Sequence, residues 1–426
     1  MKTAELKQAL AGTTLDSRFC EIYGSAALET QKTRYLHAVE EFEKLYGADR
    51  EAALYSVAGR SELSGNHTDH NHGCVIAASI DLDIIAVASP SAGSVIRVKS
   101  EGFPEDVVDF GVYNTPNPAR YEKSDSLIAG MVAGFRKEGL AVGGFDAYTT
   151  SNVLKGSGIS SSAAFEDMIG NILNYVYNDG KVSNVEIAKL AQYAENRFFG
   201  KPCGLMDQMA CAVGGIIAID FRDPSAPVIE QTDFDLSAAG YNLCIVNTGG
   251  NHADLTGDYA SVPAEMKSVA AYFGKEVLRD TDENAVLAAI PALREKVGDR
   301  AILRALHFFA ENRRVAAQKA ALKAGDLDTF LANVIASGRS SFCYLQNVYT
   351  TKNVSEQGLS LALCLAERVL SGKRAAWRVH GGGFAGTIQA FVPTEDVAEF
   401  RAVMDAAFGE GRCMVLRVRP EGALRV

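Results

Sequence analysis

The chain has no C-x-x-C pair and no zinc-ligand spacing among its eight cysteines, Cys20, Cys74, Cys203, Cys211, Cys244, Cys343, Cys364 and Cys413. Reduced thiols, mostly in the core, are therefore expected. It has no run of about 18 apolar residues, and no apolar stretch follows its first seven residues, so neither a membrane span nor a secretion signal is predicted. The expected location is the cytoplasm. There is no excess of positive charge: 42 Lys and Arg stand against 52 Asp and Glu, a net −10, which argues against a nucleic-acid partner because phosphate binding needs clustered cations. No low-complexity tract occurs, and disorder is not expected. Two common nucleotide motifs are also missing, the Walker A loop and the G-x-G-x-x-G dinucleotide turn.

What is present is a globular composition, 47% hydrophobic and 22% charged, over 426 residues, a length that favours two domains. We draw them as 1–225 and 226–426, dividing at a loop that holds Pro224 and Pro227. Helical spacing of apolar residues over 31–46 ends at Gly47, and Val- and Ile-rich runs at 54–57 and 74–89 read as strands enclosing a polar loop, 59–73. Strands at 95–99 and 145–150 flank a helix at 124–138, and helices follow at 163–177, 184–199 and 204–212. Beyond strands at 216–221 and 241–246, helices are predicted at 263–273, 302–324 and 356–370. Residues 374–418 then read as strand, glycine turn, strand, helix, strand, and the whole suits an α+β architecture.

Four segments carry chemistry. Gly156, Ser157, Gly158, Ile159, Ser160, Ser161 and Ser162 open directly onto a helix, where amides, hydroxyls and the helix dipole suit a phosphate, although a flexible loop has the same composition. The 59–73 segment gathers Arg60, Asn66, His67, Asp69, His70, Asn71 and His72, groups suited to a polyhydroxylated ligand. Metal chelation by His67, His70, His72 and Asp69 is the competing reading, and alternation leaves His67 poorly aligned for it. Asp207 lies among apolar residues on a predicted helix and could accept a hydroxyl proton, or serve as a cap or salt-bridge partner. The run 380–386, with four glycines, allows close backbone approach and also suits a tight turn.

The order of these segments resembles the GHMP kinases, and within them the galactokinases, from about residue 40 onward. The family pattern P-G-R-V-N-L-I-G-E-H-T-D-Y-N-G-G is similar to 58–73, and G-x-G-L-S-S-S-A-S-L-E to 156–166. A-E-H-x-F-x-G-x-x-C-G-I-M-D-Q is similar to 194–208, and G-G-G-F-G-G to 381–386 with Ala385 replacing a glycine. The resemblance implies a two-domain fold, N-terminally like a ribosomal-protein domain and C-terminally ferredoxin-like, with the site between them. It implies ATP-dependent phosphorylation of galactose or a galactose-like sugar at the anomeric hydroxyl, with Mg2+ as the metal. By position, Asp207 would be the base and Arg60 its partner, Glu195 and Ser162 would hold Mg2+, and His67, Asp69, Gly204 and Tyr259 would contact the sugar. Phosphoryl transfer needs chiefly alignment and charge neutralisation, which this set can supply.

The departures fall in the sugar-reading segment. Asn66 replaces a Glu that in the family contacts the far end of the hexose, His70 and His72 replace Tyr and Gly, and Ser61-Glu62-Leu63-Ser64 replaces V-N-L-I. Two readings follow from Asn66 as a substrate contact: retained galactose specificity, or a C6-modified sugar as in galacturonokinase- or arabinokinase-like enzymes. A sugar- and nucleotide-binding protein without turnover is the alternative of another class.

Overall fold

The computed structural model describes residues 1–153, 161–201, 203–250 and 255–426. Its strands are β1 (Ala53–Ser64), β2 (Cys74–Ser91), β3 (Val95–Ser100), β4 (Glu105–Asp109), β5 (Gly144–Ser151), β6 (Ile216–Asp220), β7 (Val228–Thr232), β8 (Tyr241–Asn247), β9 (Ala376–His380), β10 (Thr387–Pro393), β11 (Cys413–Leu416) and β12 (Ala423–Arg425). They form two sheets. The first has the order β12-β1-β2-β5-β3-β4, with the β6–β7 hairpin also paired to β2; the second has the order β11-β8-β10-β9.

The long β2 organises the first sheet. Its C-terminal half pairs with β5 and its N-terminal half with β6, while β1 runs antiparallel along most of it. Period-2 alternation sorts its apolar side chains onto two faces. Ile84, Ala86 and Ala88 join the core under helices Ser124–Lys137, Ser161–Tyr177, Asn184–Ala194 and Met206–Val213. Ile85 and Val87 join the opposite core, built with Phe19, Ile22, Tyr23, Tyr35 and Phe42. Burial on both faces is why β2 reads in sequence as a nearly unbroken apolar run.

That second core explains the chain's first fifty residues. Helices Thr3–Ala11, Asp16–Tyr23 and Leu28–Tyr46 lie on this face of the sheet, the last ending at Gly47 as its spacing predicts. The first two helices are not among the elements expected from the sequence. Beneath them Asp83 is fully buried and held by Tyr23, Ser56, Arg34 and Arg419, so the chain's two ends meet on one carboxylate.

The second sheet follows the strand order 4-1-3-2 of a ferredoxin-like unit. Helices Gly358–Leu370 and Val397–Phe408 cover one of its faces. On the other, Leu243, Ile245 and Phe391 share a core with Phe330, Val334 and Val315 and with Ile76, Ala78 and Ile80 of β2. This shared core locks the two sheets together. The division at 225/226 does not separate them cleanly, because β7 and β12 both belong to the first sheet. β7 completes a hairpin with β6, and β12 covers the edge of β1 that would otherwise leave backbone groups unpaired.

Three boundaries differ from expectation. Residues 59–64 belong to β1 rather than to a loop. Pro263 lies inside helix Thr256–Tyr272 instead of starting it. Helix Asn184–Ala194 gives way at Glu195–Phe199 to a single wider π-type turn ending at left-handed Gly200, a kind of irregularity common at functional sites. Among the described residues, no helix is long and apolar enough to cross a membrane. Of the eight thiols, three are fully buried, while Cys343 and Cys364 are exposed, so the expectation of mostly core cysteines holds only in part.

Candidate active site

The segment expected to be a polar loop is a buried strand because distant charges satisfy it. β1 is regular between two register shifts, at 58/59 and at 62/64, so Arg60 and Glu62 project to one face and Ser61 to the other. The Ser61 hydroxyl lies 3.1 Å from His380 Nε2 on β9. Arg60 donates from Nε to Asp207 Oδ1 at 2.7 Å and from Nη2 to Oδ2 at 2.9 Å, a bidentate pair across 147 residues of sequence. Burial opposes the Arg60 charge, but Asp207 more than offsets it and raises its pKa. Glu62 accepts from Arg378, itself fully buried and also 3.7 Å from Glu311. Burial pushes the Glu62 carboxyl up against the pull of Arg378.

Asp207 occupies the first turn of helix Met206–Val213, where the dipole favours an anion. The next residue, Gln208, donates to Glu195 Oε2 at 2.7 Å and to Glu166 Oε2 at 3.3 Å, tying three helical segments together. Glu195 is 3% exposed and its other oxygen receives the Lys201 ammonium at 3.1 Å. Ser162 is half-buried in the first turn of helix Ser161–Tyr177, whose Glu166 meets the same Gln208. Of the phosphate-loop residues, Ser161 and Ser162 begin this helix; Gly156, Ser157, Gly158, Ile159 and Ser160 lie outside the described residues.

Asp167 is fully buried, and neither carboxylate oxygen has a partner among the described residues. Burial, aided by the charge of Glu195, pushes its pKa well above the usual carboxylate range, so the folded protein holds it protonated. A raised folded pKa means stability is complete below the unfolded pKa of about 3.9 and is lost as pH rises from there toward the folded pKa. Asp167→Asn removes that loss. Urea unfolding will find the variant's stability relative to wild type growing with pH above about 4, by up to about 1.4 kcal/mol per unit; a pH-independent difference contradicts the assignment.

The sugar-contact candidates do not all converge. His67 and Asp69 line one cleft with Arg60, Glu62, Gly204 and Asp207. His67 Nε2 lies 2.8 Å from the Gly382 carbonyl and so carries the proton, while burial lowers its pKa to about 4 and keeps the ring neutral. A Cβ on Gly204 would fall 2.6 Å from Asp69 Oδ2, so a side chain there would displace the Asp69 carboxylate from its place in the cleft. Tyr259 lies outside that lining: it packs against Gly382, and its O–H donates to the Gly383 carbonyl at 2.9 Å. The histidine-rich segment is not arranged as a chelate, since His67 turns to Gly382 while His70 is exposed.

Asn66, expected as a substrate contact, does not line the cleft. Its side chain is fully buried, donating to the Gly381 carbonyl at 2.6 Å and to Glu62 at 3.1 Å, and accepting from Asn347 at 2.8 Å and Ser341 at 3.3 Å. Nothing is left to contact a substrate. Glu62 does line the cleft, beside Asp69 and Asp207, and its Oε1 takes both Arg378 and Asn66. Asn66→Glu would press a second carboxylate against Glu62 and strip a donor from Gly381. A loss of about 3 kcal/mol or more in chemical denaturation is expected, and a stable variant with improved galactose turnover would restore Asn66 to the sugar site.

The cleft measures about 260 Å3 and also includes His70, Lys201, Cys203, Met206, Gly381 and Gly382. That is near the lower end of ligand pockets, roughly 300 Å3, and suits a monosaccharide. A larger open cleft of about 750 Å3, near Thr248, Lys352 and Phe384, is lined by none of Arg60, Glu195 or Asp207. Sequence reasoning missed Glu62 and Lys201. The first left a signal, since the carboxylate lost at 66 reappears at 62.

Comparison with known proteins agrees with this geometry. Residues 126–215 match the GHMP kinases N terminal domain, and residues 40–90 match the galactokinase galactose-binding signature. A galactokinase of Streptomyces coelicolor is 32% identical over 378 residues, covering 87% of this chain and 92% of that protein. One of Actinobacillus pleuropneumoniae serotype 3 is 31% identical, covering 86% and 92%. In fold, the chain is similar to the Lactococcus lactis galactokinase solved with galactose, with a TM-score of 0.77 at 23% identity over 92% of this chain and all of that one. Methanococcus jannaschii mevalonate kinase follows at a TM-score of 0.61 and 15% identity, covering 86% and 98%. The chain is a sugar kinase and belongs to the galactokinase family of the GHMP kinases.

Proposed function

We propose that the protein transfers the γ-phosphoryl group of ATP to the anomeric hydroxyl of galactose, in the cytoplasm where ATP is available. The observation that carries this reading is the bidentate Arg60–Asp207 pair in the wall of a monosaccharide-sized cleft. Asp207 orients the hydroxyl and accepts its proton as the new O–P bond forms. Arg60 holds Asp207 ionised and fixes its plane. His67, Asp69 and the backbone at Gly204 position the ring, and Glu62 receives a hydroxyl at its far end. Residues 156–162 bind the nucleotide phosphates through backbone amides and hydroxyls.

Glu195 and Ser162 suit Mg2+. The outward oxygen of Glu195 already accepts an ammonium, so it offers itself to a cation, and hard oxygen donors match this metal. When bound, the ion neutralises the nucleotide phosphates.

Galactose is favoured over its C6 acid. Glu62, Asp69 and Asp207 make the wall rich in carboxylates, and a uronate would add a fourth negative group against them. ADP release measured across galactose, arabinose, galacturonate and mevalonate is the test. Galactose should exceed galacturonate by roughly a hundredfold or more in kcat/KM. Preference for galacturonate overturns the substrate assignment, and silence with every sugar favours a binding protein on this scaffold.

A further inference from the structure

Lys201 stands at the catalytic centre without a role in the family pattern, which leaves that position open. It follows left-handed Gly200, where the chain turns back after Glu195–Phe199, and its own N–H donates to the Glu195 carbonyl at 3.2 Å. This reversal directs its side chain over Glu195 and into the lining of the cleft shared by Arg60 and Asp207. Among the described residues that line the cleft, Lys201 and Arg60 are the lysine and the arginine, beside the carboxylates Glu62, Asp69 and Asp207. Two Arg60 nitrogens are committed to Asp207. The Lys201 side chain, by contrast, is 60% exposed while its partner Glu195 is 3% exposed, and the described structure gives the ammonium the Glu195 carboxylate as its hydrogen-bond partner.

A phosphoryl group entering this wall brings negative charge on its equatorial oxygens, and a further cation on the wall adds to the neutralisation that transfer needs. We propose that Lys201 is a further catalytic residue, whose ammonium leaves the Glu195 oxygen to the cation and takes an oxygen of the phosphoryl group during transfer. The inference rests on the sugar-kinase reading above. No bond to Lys201 forms: the sugar oxygen bonds to phosphorus, the bond to the bridging oxygen breaks, its electron pair leaves with ADP, and the hydroxyl proton goes to Asp207. Lys201 keeps its own protons throughout.

The test compares Lys201→Met and Lys201→Arg with wild type by kcat, galactose KM and calorimetric binding of ADP with aluminium fluoride and galactose, a mimic of the group in flight. Lys201→Met should lower kcat roughly a hundredfold with galactose KM changed by less than about threefold, and should weaken the aluminium fluoride complex in parallel. Lys201→Arg should recover part of both. If Lys201 merely neutralises Glu195, Lys201→Met will change stability while kcat and the aluminium fluoride complex stay at wild-type values, which overturns the proposal. Wild-type protein without sugar-dependent turnover overturns the underlying reading and this proposal with it.

Discussion

Asp207→Asn will lower kcat by roughly a thousandfold or more while leaving the protein folded and able to bind ADP. The amide is nearly isosteric with the carboxylate and keeps one acceptor for Arg60, but it cannot take up the sugar's proton. It also breaks the symmetry of the pair, since the two Arg60 donors at 2.7 and 2.9 Å now meet one oxygen and one NH2 group. Stopped-flow or steady-state ADP release gives the rate, and calorimetry gives nucleotide affinity. Full activity in the variant would remove Asp207 from the reaction. Loss of ADP binding together with turnover would point instead to a structural role for the pair.

Arg378→Met will cost about 3–5 kcal/mol of stability, the second large effect. Arg378 is fully buried on β9 between two carboxylates, Glu62 of β1 and Glu311 of helix Asp299–Ala324, and also donates to Ser337 at 3.0 Å. Removing the cation leaves both acids in the interior with less compensation. Glu311 keeps Arg314 and His307 nearby; burial works against its charge, yet these neighbours and Arg378 bring its pKa down to about 2. Glu62 keeps the Asn66 amide at 3.1 Å and the charge of Arg60, which is already paired with Asp207, so its reserve is weaker and the damage should reach the sugar cleft. Urea unfolding measures the loss, and galactose KM in the surviving folded fraction should rise. An unchanged midpoint would mean that the pairs around Arg378 contribute little.

These two residues also mark what could be read from the sequence. Long apolar runs and glycine stops gave helix Leu28–Tyr46, β2, β5 and most of the C-terminal elements, because local pattern and final burial agree there. Residues 59–64 were read as loop because Arg60, Ser61, Glu62 and Ser64 contradict the pattern of a buried strand. Their partners Asp207, His380, Arg378 and Gln318 lie 147 to 319 residues away, beyond any local window. The same distance hid the fate of Asn66, which its neighbours in sequence present as a ligand group and its neighbours in space bury. The helices of the first 24 residues went unread because they are short, and their apolar residues gain meaning only against the outer face of β1 and β2. Arg60, His67, Asp69, Gly204 and Asp207 were legible through motif order, and they meet in one cleft. Tyr259, read by the same means, sits behind the glycine turn.

On the proposed reading, one cleft aligns a galactose hydroxyl with Asp207 for transfer from ATP. Phosphorus NMR of the purified protein with ATP, Mg2+ and galactose reads that transfer. The ATP γ signal will decay as ADP and a single sugar 1-phosphate resonance appear in equal amounts, and omitting galactose will stop both. Inorganic phosphate in place of the sugar phosphate, or no galactose-dependent change at all, would contradict that reading.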